Sequence, residues 1–378
     1  MRSGSGSGAV ACLLRSRSED VRVYSKTFDR SFHWLWLRDH CQCSLCVDSF
    51  SGQKLHSSGS VIMTVRSSAP LAARVEGRQL CVDWSDHAVR VPLELLGLAA
   101  PAPRRRRQNL RSAAQNLRSA SASSLGNAAD EVLREPLFHT RPSISFVDMM
   151  QDKVGRAWTL RTVNSSGLVF VDDIPQPSTT APSTALVTQL ASRLAPVMDT
   201  FYGRHWDVRD VAGADNVAYT SKQLGWHQDL LYFESPPGLQ LLHCLEAATT
   251  GGETLFLDGV AAANAFEREY PEDFVLLSKL HITYQYSNAQ VSLTQRRPVF
   301  APATDQFSHR RVFWSPAWQG PLNLHRNVSR VYLALNRWDQ FLDKQNVLAV
   351  KMQPGTAVIF DNHRFGKKDR KKSLFFCL

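Results

Sequence analysis

The residues around position 227 constrain the fold of this chain more than any other segment. His227 and Asp229 stand two apart, and a Pro-Pro-Gly turn at 236–238 and an apolar run at 239–244 follow them. In an extended segment, residues two apart project to the same side, so the imidazole and the carboxylate would lie side by side. They would supply two ligands of the facial triad that holds non-haem Fe(II). The context favours a metal centre over a chance pair at a loop rim.

The second half of the chain predicts a β-sandwich or jelly roll. Short strand-like segments recur beside glycine and proline turns, as is typical of several strands packed around one core. These segments are 167–171, 238–245, 254–257 and 357–360. Apolar residues at helical spacing predict one helix over 185–198. The fold class is therefore expected to be mostly β with α.

Composition divides the chain into four parts. The first is rich in serine and arginine, the second has short strand-like runs, and the third contains an arginine run and a tandem hexapeptide. The strand-like runs are 21–24, 61–65, 73–75 and 80–84. We expect a disordered leader at 1–20, a β-rich module at 21–100, a linker or insertion at 101–133 and a large domain at 134–378.

The net charge of +10 is concentrated in two segments and does not describe a basic surface. Arg104–Arg107 carry four of the charges and 364–372 carry a net five, so the rest of the chain is nearly neutral. Neither run has aromatic residues interleaved, which makes a nucleic-acid-binding protein only a distant alternative. No apolar run is long enough to predict a membrane span. The leader begins without acidic residues; we expect a cytoplasmic protein, with a mitochondrial one as the alternative.

Three of the seven cysteines stand within six residues, as Cys41-x-Cys43-x-x-Cys46. Three thiolates this close can converge on one tetrahedral ion, typically structural zinc, with a fourth ligand from elsewhere. His87 and His40 are the candidates. His87 is preferred because residues adjacent in sequence rarely both reach one metal. Reactive or merely buried cysteines are the alternative interpretation.

Four segments together resemble one family of oxygenases. They are Trp36–Cys41, Asp215–Thr220, the region around His227, and the stretch from Gly355 to Arg364. The chain resembles the γ-butyrobetaine and trimethyllysine dioxygenases, and the γ-butyrobetaine branch most closely, from about residue 21 to 364 apart from the linker. The resemblance implies a hydroxylase of carnitine biosynthesis that depends on Fe(II), with 2-oxoglutarate as cosubstrate and ascorbate as a further cofactor. It also implies an N-terminal zinc module, a catalytic double-stranded β-helix and a homodimer.

The resemblance also assigns roles to single residues. It implies that His227 and Asp229 bind iron, and that Cys41, Cys43, Cys46 and His87 bind zinc, although the spacing from Trp84 to His87 is one residue shorter than usual. Thr254 stands where related oxygenases bind the distal carboxylate of 2-oxoglutarate; a β-branched strand residue is the alternative.

The substrate implied by the resemblance is γ-butyrobetaine, with trimethyllysine as the alternative. Tyr202, Trp206 and Tyr219 match an aromatic cage for the trimethylammonium group, which is best recognised by cation–π attraction. Tyr202 and Trp206 would share a face if their segment were helical. Taken alone, these residues are more often core aromatics. The neutral amide of Asn216 suits the carboxylate of γ-butyrobetaine.

The chain departs from the family pattern after Arg364. The family continues with two apolar residues and His-Gly-Arg, in which the histidine is the third iron ligand, and a later arginine pairs with 2-oxoglutarate. Here Lys367 stands at the histidine position. An ammonium is no metal ligand and would repel Fe(II). His363 is the nearby imidazole but is not expected to replace it. We expect a domain incomplete at its C-terminus, an open sheet edge after Arg364 and little turnover.

Overall fold

The computed structural model describes most of the chain. The described residues are 10–67, 69–85, 87–98, 141–175, 183–208, 224–248, 251–288, 290–305, 307, 309–324, 326–369 and 374–377. They form two compact units: the first draws on the described residues within 1–32 and 70–136, and the second on those within 33–69 and 137–378. No helix of the described residues is long and apolar enough to cross a membrane.

The described residues of the first unit contain two sheets of three strands each. One sheet is formed by β1 (Ala11–Arg15), β2 (Asp20–Tyr24) and β3 (Asp29–His33), and the other by β4 (Ala72–Glu76), β5 (Gln79–Asp83) and β6 (Ala88–Pro92). On β2 the side chains of Val21 and Val23 are buried, and on β6 those of Val89 and Val91. This alternation leaves one face of each strand to solvent.

The predicted boundaries differ from this division at three places. Strand β1 lies inside the leader that was predicted to be disordered, so that prediction is wrong for 11–15; residues 1–9 lie outside the described part. The cysteine motif belongs to the second unit, not to one module at 21–100. The run at 61–65 begins a helix, α2 (Val61–Ser67), instead of a strand. The predicted linker at 101–133 also lies outside the described residues.

Tertiary packing explains the helix at this run. Val61 and Ile62 are buried in the same core as Leu335 of the long helix α8 (Val328–Asp343). Just before them, a Cβ on Gly59 would lie 2.7 Å from the Leu335 carbonyl oxygen, so the two segments approach backbone to backbone. This burial outweighs the β propensity of the branched side chains.

Two sheets of the second unit form the jelly roll that was expected. The strands of the larger sheet are β7 (Ser143–Ser145), β8 (Leu168–Asp172), β9 (Trp206–Val208), β10 (Leu239–Glu246), β17 (Ala357–Asp361) and β19 (Leu374–Cys377). Those of the smaller sheet are β11 (Glu253–Asp258), β16 (Leu348–Lys351) and β18 (Phe365–Asp369). The order of the strands is β7-β8-β17-β10-β19-β9 in the larger sheet and β16-β11-β18 in the smaller. The strands predicted at 167–171, 238–245, 254–257 and 357–360 are thus confirmed.

Side chains of alternating residues divide the larger sheet between two cores. Phe170 and Phe360 point between the sheets, where they pack with Phe256 of β11. Val171 and Ile359 point to the opposite face. Helices cover that face; they are α3 (Phe146–Gln151), α4 (Lys153–Ser166) and α5 (Ser183–Leu194), the last confirming the predicted helix. Strands buried on both faces read as continuous apolar runs in the sequence.

The remaining elements pack around a third core. They are α1 (Trp34–Asp39), α6 (Gly259–Glu269), α7 (Pro271–Lys279), β12 (His281–Ser287), β13 (Ser292–Pro298), β14 (Phe300–Ala301) and β15 (Arg311–Val312), together with α2 and α8. Its centre consists of large buried aromatic side chains, among them Phe266 and Trp338, whose ring centroids are 5.2 Å apart.

Two strands follow Arg364 in the described part of the chain, where missing strands were expected. Residues 365–369 form β18, which pairs with β11, and 374–377 form β19, which pairs with both β10 and β9. The prediction was wrong because the departure from the family pattern was taken to remove the closing strands, whereas pairing in a ladder uses only backbone groups and tolerates a changed sequence. Gly167 allows this arrangement: its φ is +79°, and a Cβ there would lie 2.4 Å from the Phe365 ring.

Candidate functional site

His227 and Asp229 face one another, as their spacing predicts. The His227 Nε2 and Asp229 Oδ1 atoms are 3.6 Å apart. The segment is not a regular strand: His227 forms one isolated bridge, in which its backbone exchanges hydrogen bonds of 3.1 and 3.0 Å with Lys367. His227 Nδ1 lies 2.9 Å from the Gly225 carbonyl oxygen and donates to it, which directs Nε2 toward Asp229.

Asn362 and Gln240 hold Asp229 in place. The Asp229 backbone N–H donates to Asn362 Oδ1 at 3.0 Å, and Asn362 Nδ2 donates to the carbonyl oxygens of Asp229 and Pro237 at 3.1 and 3.2 Å. Gln240 Nε2 donates to Asp229 Oδ2. Asn362 is fully buried, so the loop is held against β10 and β17. Neither residue was predicted to have a role; for Asn362, the Asp-Asn pair before Arg364 was the available signal in the sequence.

Lys367 lies inside this site. Its Nζ is 2.6 Å from Asp229 Oδ2, and the residue is 8% exposed. Burial acts to raise the pKa of Asp229, but the Lys367 ammonium and His227 offset it, so the pKa of this carboxyl stays below its ordinary value. Asp229 is therefore a carboxylate paired with an ammonium.

The iron ligand set expected from the family is incomplete among the described residues. No third histidine, cysteine, aspartate or glutamate there places a ligand atom within 4.8 Å of both His227 and Asp229. His363 is directed elsewhere: its ring packs edge-on against Phe307 and Phe313. A facial triad needs three protein ligands, whereas this site offers two, and the Lys367 ammonium is paired with one of them, so the described residues do not fit the iron site of the family.

Tyr202 and Trp206 meet, although not on a helix. Residues 201–205 form turns and Trp206 begins β9, yet the two ring centroids are 5.2 Å apart. Tyr202 Oη lies 3.0 Å from Tyr232 Oη. The ring centroids of Tyr232 and Tyr286 are 5.2 Å apart. Burial raises the pKa of Tyr202. Tyr232 and Tyr286 were not predicted from the sequence, because they come from the loop after Asp229 and from β12.

Three further residues of the predicted site have different outcomes. Thr254 is buried on β11, two residues before Phe256, so both side chains face the space between the sheets. This is compatible with the predicted role without testing it. Asn216 and Tyr219 lie outside the described residues.

The three cysteines of the N-terminal motif lie together after α1. Their Sγ atoms lie within 4.8 Å of one another. The turn that gathers them is closed by hydrogen bonds from the Cys46 and Val47 backbone N–H groups to the Cys43 carbonyl oxygen, at 3.0 and 2.9 Å. Arg38 Nη1 donates to Cys46 Sγ at 3.1 Å, which favours a thiolate. The cluster is a candidate metal site. His87 lies between β5 and β6 of the first unit and remains the predicted fourth ligand.

His40, the alternative fourth ligand, has both ring nitrogens engaged. Nδ1 donates to the Trp36 carbonyl oxygen at 2.6 Å, and Nε2 accepts from the Leu322 backbone N–H at 3.1 Å. Its ring stacks on Trp36 with centroids 4.0 Å apart. Burial lowers the pKa of His40 to about 4. The ring therefore stays neutral and joins α1 to the loop before α8, which excludes it as a metal ligand.

Comparison with known proteins gives the family. The profile described as "Taurine catabolism dioxygenase TauD, TfdA family" matches residues 131–365, more than half of the chain. The mitochondrial trimethyllysine dioxygenase of Gallus gallus is 28% identical over 374 residues, which cover 94% of this chain and 81% of that protein. Dioxygenase str8 of Strobilurus tenacellus is 25% identical over 371 residues, with 96% and 83% covered.

Among solved structures, an asparagine oxygenase in complex with Fe(II), 3-hydroxyasparagine and succinate aligns with a TM-score of 0.48 and 16% identity, covering 66% of this chain and 87% of that one. A taurine dioxygenase from Burkholderia xenovorans aligns with a TM-score of 0.48 and 12% identity, covering 64% and 90%. On the family profile, this chain belongs to the TauD/TfdA family of Fe(II)- and 2-oxoglutarate-dependent dioxygenases.

Proposed function

We propose that the site takes a small molecule with a trimethylammonium group, as the trimethyllysine dioxygenases of carnitine biosynthesis do, and that the incomplete iron site leaves this chain with little or no turnover of it. The observation that carries the proposal is the aromatic cluster of Tyr202, Trp206, Tyr232 and Tyr286. Tyr232 lies three residues after Asp229, so the cluster begins on the loop that carries the His-x-Asp pair. A quaternary ammonium donates no hydrogen bond, and ring faces attract it through cation–π interaction.

Trimethyllysine is our first candidate for the substrate. Support comes from the trimethyllysine dioxygenases of several vertebrates, which are 25–28% identical to this chain over most of its length. γ-Butyrobetaine is the second candidate. Its support is Asn216, whose neutral amide can donate to a carboxylate but offers no charge to the extra ammonium of trimethyllysine.

Further features of the function are proposed with it. Zinc is the proposed occupant of the cysteine cluster, since thiolates at this spacing are typical zinc ligands. Thr254 is proposed to contact 2-oxoglutarate, and a homodimer remains the expected assembly. The relatives from Gallus gallus and Rattus norvegicus are described as mitochondrial, which supports the mitochondrial alternative over a cytoplasmic location.

Calorimetry on the full chain tests the substrate class without requiring turnover. We expect trimethyllysine to bind, γ-butyrobetaine to bind less tightly, and lysine, which lacks the methyl groups, to bind least. Trp206→Leu should weaken trimethyllysine binding by roughly 5- to 30-fold, the effect of losing one desolvated cation–π contact. Trp158→Leu is the matched control, because Trp158 lies on α4 and is 37% exposed.

Two results would contradict the proposal. One is binding of lysine as tight as that of trimethyllysine, which would show that methyl groups are not recognised. The other is equal affinity in the Trp206 and Trp158 variants. Tighter binding of γ-butyrobetaine than of trimethyllysine would leave the trimethylammonium class intact and reverse the order of the two candidates.

A further inference from the structure

The backbone of Lys367 is fixed from two sides. On one side β18 pairs with β11, where Lys367 stands opposite Phe256. On the other side its N–H and carbonyl groups exchange hydrogen bonds with those of His227. The ladder with β11 and the bridge with His227 therefore set the position of Lys367 relative to the His-x-Asp pair.

The Lys367 side chain follows from this placement. Its ammonium lies 2.6 Å from Asp229 Oδ2, and the same oxygen accepts a hydrogen bond from Gln240. Lys367 and Gln240 are 8% and 3% exposed. One positive charge thus meets one negative charge at a site mostly shielded from water, where the side chain of Asp229 is 19% exposed. Removing either partner would leave a largely buried charge uncompensated.

We propose that Lys367 takes the place of the divalent cation in this chain and closes the His227–Asp229 site to metal ions. An ammonium has three donors and no acceptor, so it satisfies Asp229 but offers no lone pair to a metal. A divalent ion on His227 and Asp229 would meet this positive charge and would have to displace it from the carboxylate. The inference goes beyond the proposed substrate class, because it concerns the metal centre alone.

The matched residue for a control is Lys368. It is the next residue of β18, so its side chain points to the other face of the strand. There its Nζ lies 3.0 Å from Asp343 Oδ1 and 5.6 Å from the centre of the Trp226 ring. Lys368 has the same charge and the same strand, but it does not contact Asp229 in the structure.

Titration with Mn(II), followed by its electron paramagnetic resonance signal, tests the proposal on the full zinc-loaded chain. Wild type and His227→Ala should bind Mn(II) equally weakly, because the His227–Asp229 site of wild type is expected to be closed to metal ions. Lys367→His should gain one Mn(II) per chain, with an affinity roughly 100-fold or more above that of wild type, because an ammonium is replaced by a third ligand. Lys368→His should behave as wild type. Lys367→Met, which removes only the charge, should show a smaller gain than Lys367→His.

The proposal would be overturned by wild-type Mn(II) binding that is lost in His227→Ala. It would also be overturned by a folded Lys367→His variant that binds no more Mn(II) than Lys368→His. If Lys367→His does not fold, Lys367→Met still decides: it should bind Mn(II) more tightly than wild type, and a folded Lys367→Met that binds no more Mn(II) than wild type would overturn the proposal. None of these measurements uses trimethyllysine, γ-butyrobetaine or 2-oxoglutarate, so their failure is separate from failure of the proposed function.

Discussion

Arg364 and Asp258 form an ion pair that is almost completely buried, at 2% and 4% exposed. Arg364 Nε and Nη2 both donate to Asp258 Oδ2, at 3.0 and 2.7 Å. The other carboxylate oxygen accepts from the backbone N–H groups of Val260 and Ala261, both at 3.0 Å, and so caps α6. One carboxylate therefore joins the start of β18, the end of β11 and a helix N-terminus.

Replacing Arg364 by methionine should lower the free energy of unfolding by about 3–5 kcal/mol, because Asp258 would remain as a buried charge without its partner. Arg204→Met is the control: the pair of Arg204 with Asp199 is 3.3 Å long and exposed at the surface, and its loss should cost less than about 1 kcal/mol. Urea denaturation followed by tryptophan fluorescence measures both. Similar losses of unfolding free energy in the two variants would show that the buried ion pair stabilises the fold no more than the exposed one.

A second prediction concerns His243, a residue of β10 that is 1% exposed. Burial lowers its pKa from 6.5 to about 4. The unfolded chain therefore binds a proton at this histidine at a higher pH than the folded chain does. The contribution of His243 to the free energy of unfolding is at its highest above pH 6.5 and falls as the pH falls toward 4. Over this window the folded state should lose about 3 kcal/mol relative to the unfolded state.

His243→Leu should remove this component while keeping a side chain of similar size in the core. Denaturation of wild type and variant at several pH values between 4 and 8 measures the difference. The gap in unfolding free energy between them should shift in favour of the variant as the pH falls from 6.5 to 4. A gap that stays constant across this range would show that His243 is protonated in the folded chain as easily as in the unfolded one.

Much of the jelly roll could be predicted because buried strands carry a local signal. At 167–171 and 357–360 nearly every residue is apolar, since these strands are covered on both faces. Strand β18 carries no such signal: Lys367, Lys368 and Asp369 are polar, and only its pairing with β11 makes it a strand. The helix at 61–67 was misread for the opposite reason, because its β-branched residues pack against a distant helix.

The residues of the site also differ in whether the local sequence predicts their contacts. His227 and Asp229, like the three cysteines, are close in sequence, so spacing alone places them together. Tyr232 and Tyr286 are 54 residues apart, and their contact depends on how β12 lies against the loop after Asp229. The position of Lys367 was predicted as a departure from the family pattern. Its ion pair with Asp229 follows only from the register of β18.

A third prediction concerns turnover. Succinate formation with Fe(II), ascorbate and 2-oxoglutarate should stay near background in wild type with trimethyllysine or γ-butyrobetaine, because the described iron ligand set is incomplete. His363→Ala should change nothing, since the His363 ring packs against Phe307 and Phe313. Substrate-dependent turnover that His363→Ala abolishes would show that this imidazole reaches the metal after all.

The last prediction concerns the cysteine cluster. Protein purified without added metal should contain about one zinc per chain, because three thiolates at this spacing form most of a closed tetrahedral site. Cys43→Ser should lose the zinc and melt at a lower temperature, since metal binding contributes to folding. Cys12→Ser is the control: Cys12 is also half-buried, on β1, but is not part of the cluster. Elemental analysis and thermal melts with and without a chelator make the comparison. Zinc absent from wild type, or lost equally from both variants, would rule out a metal site at these cysteines.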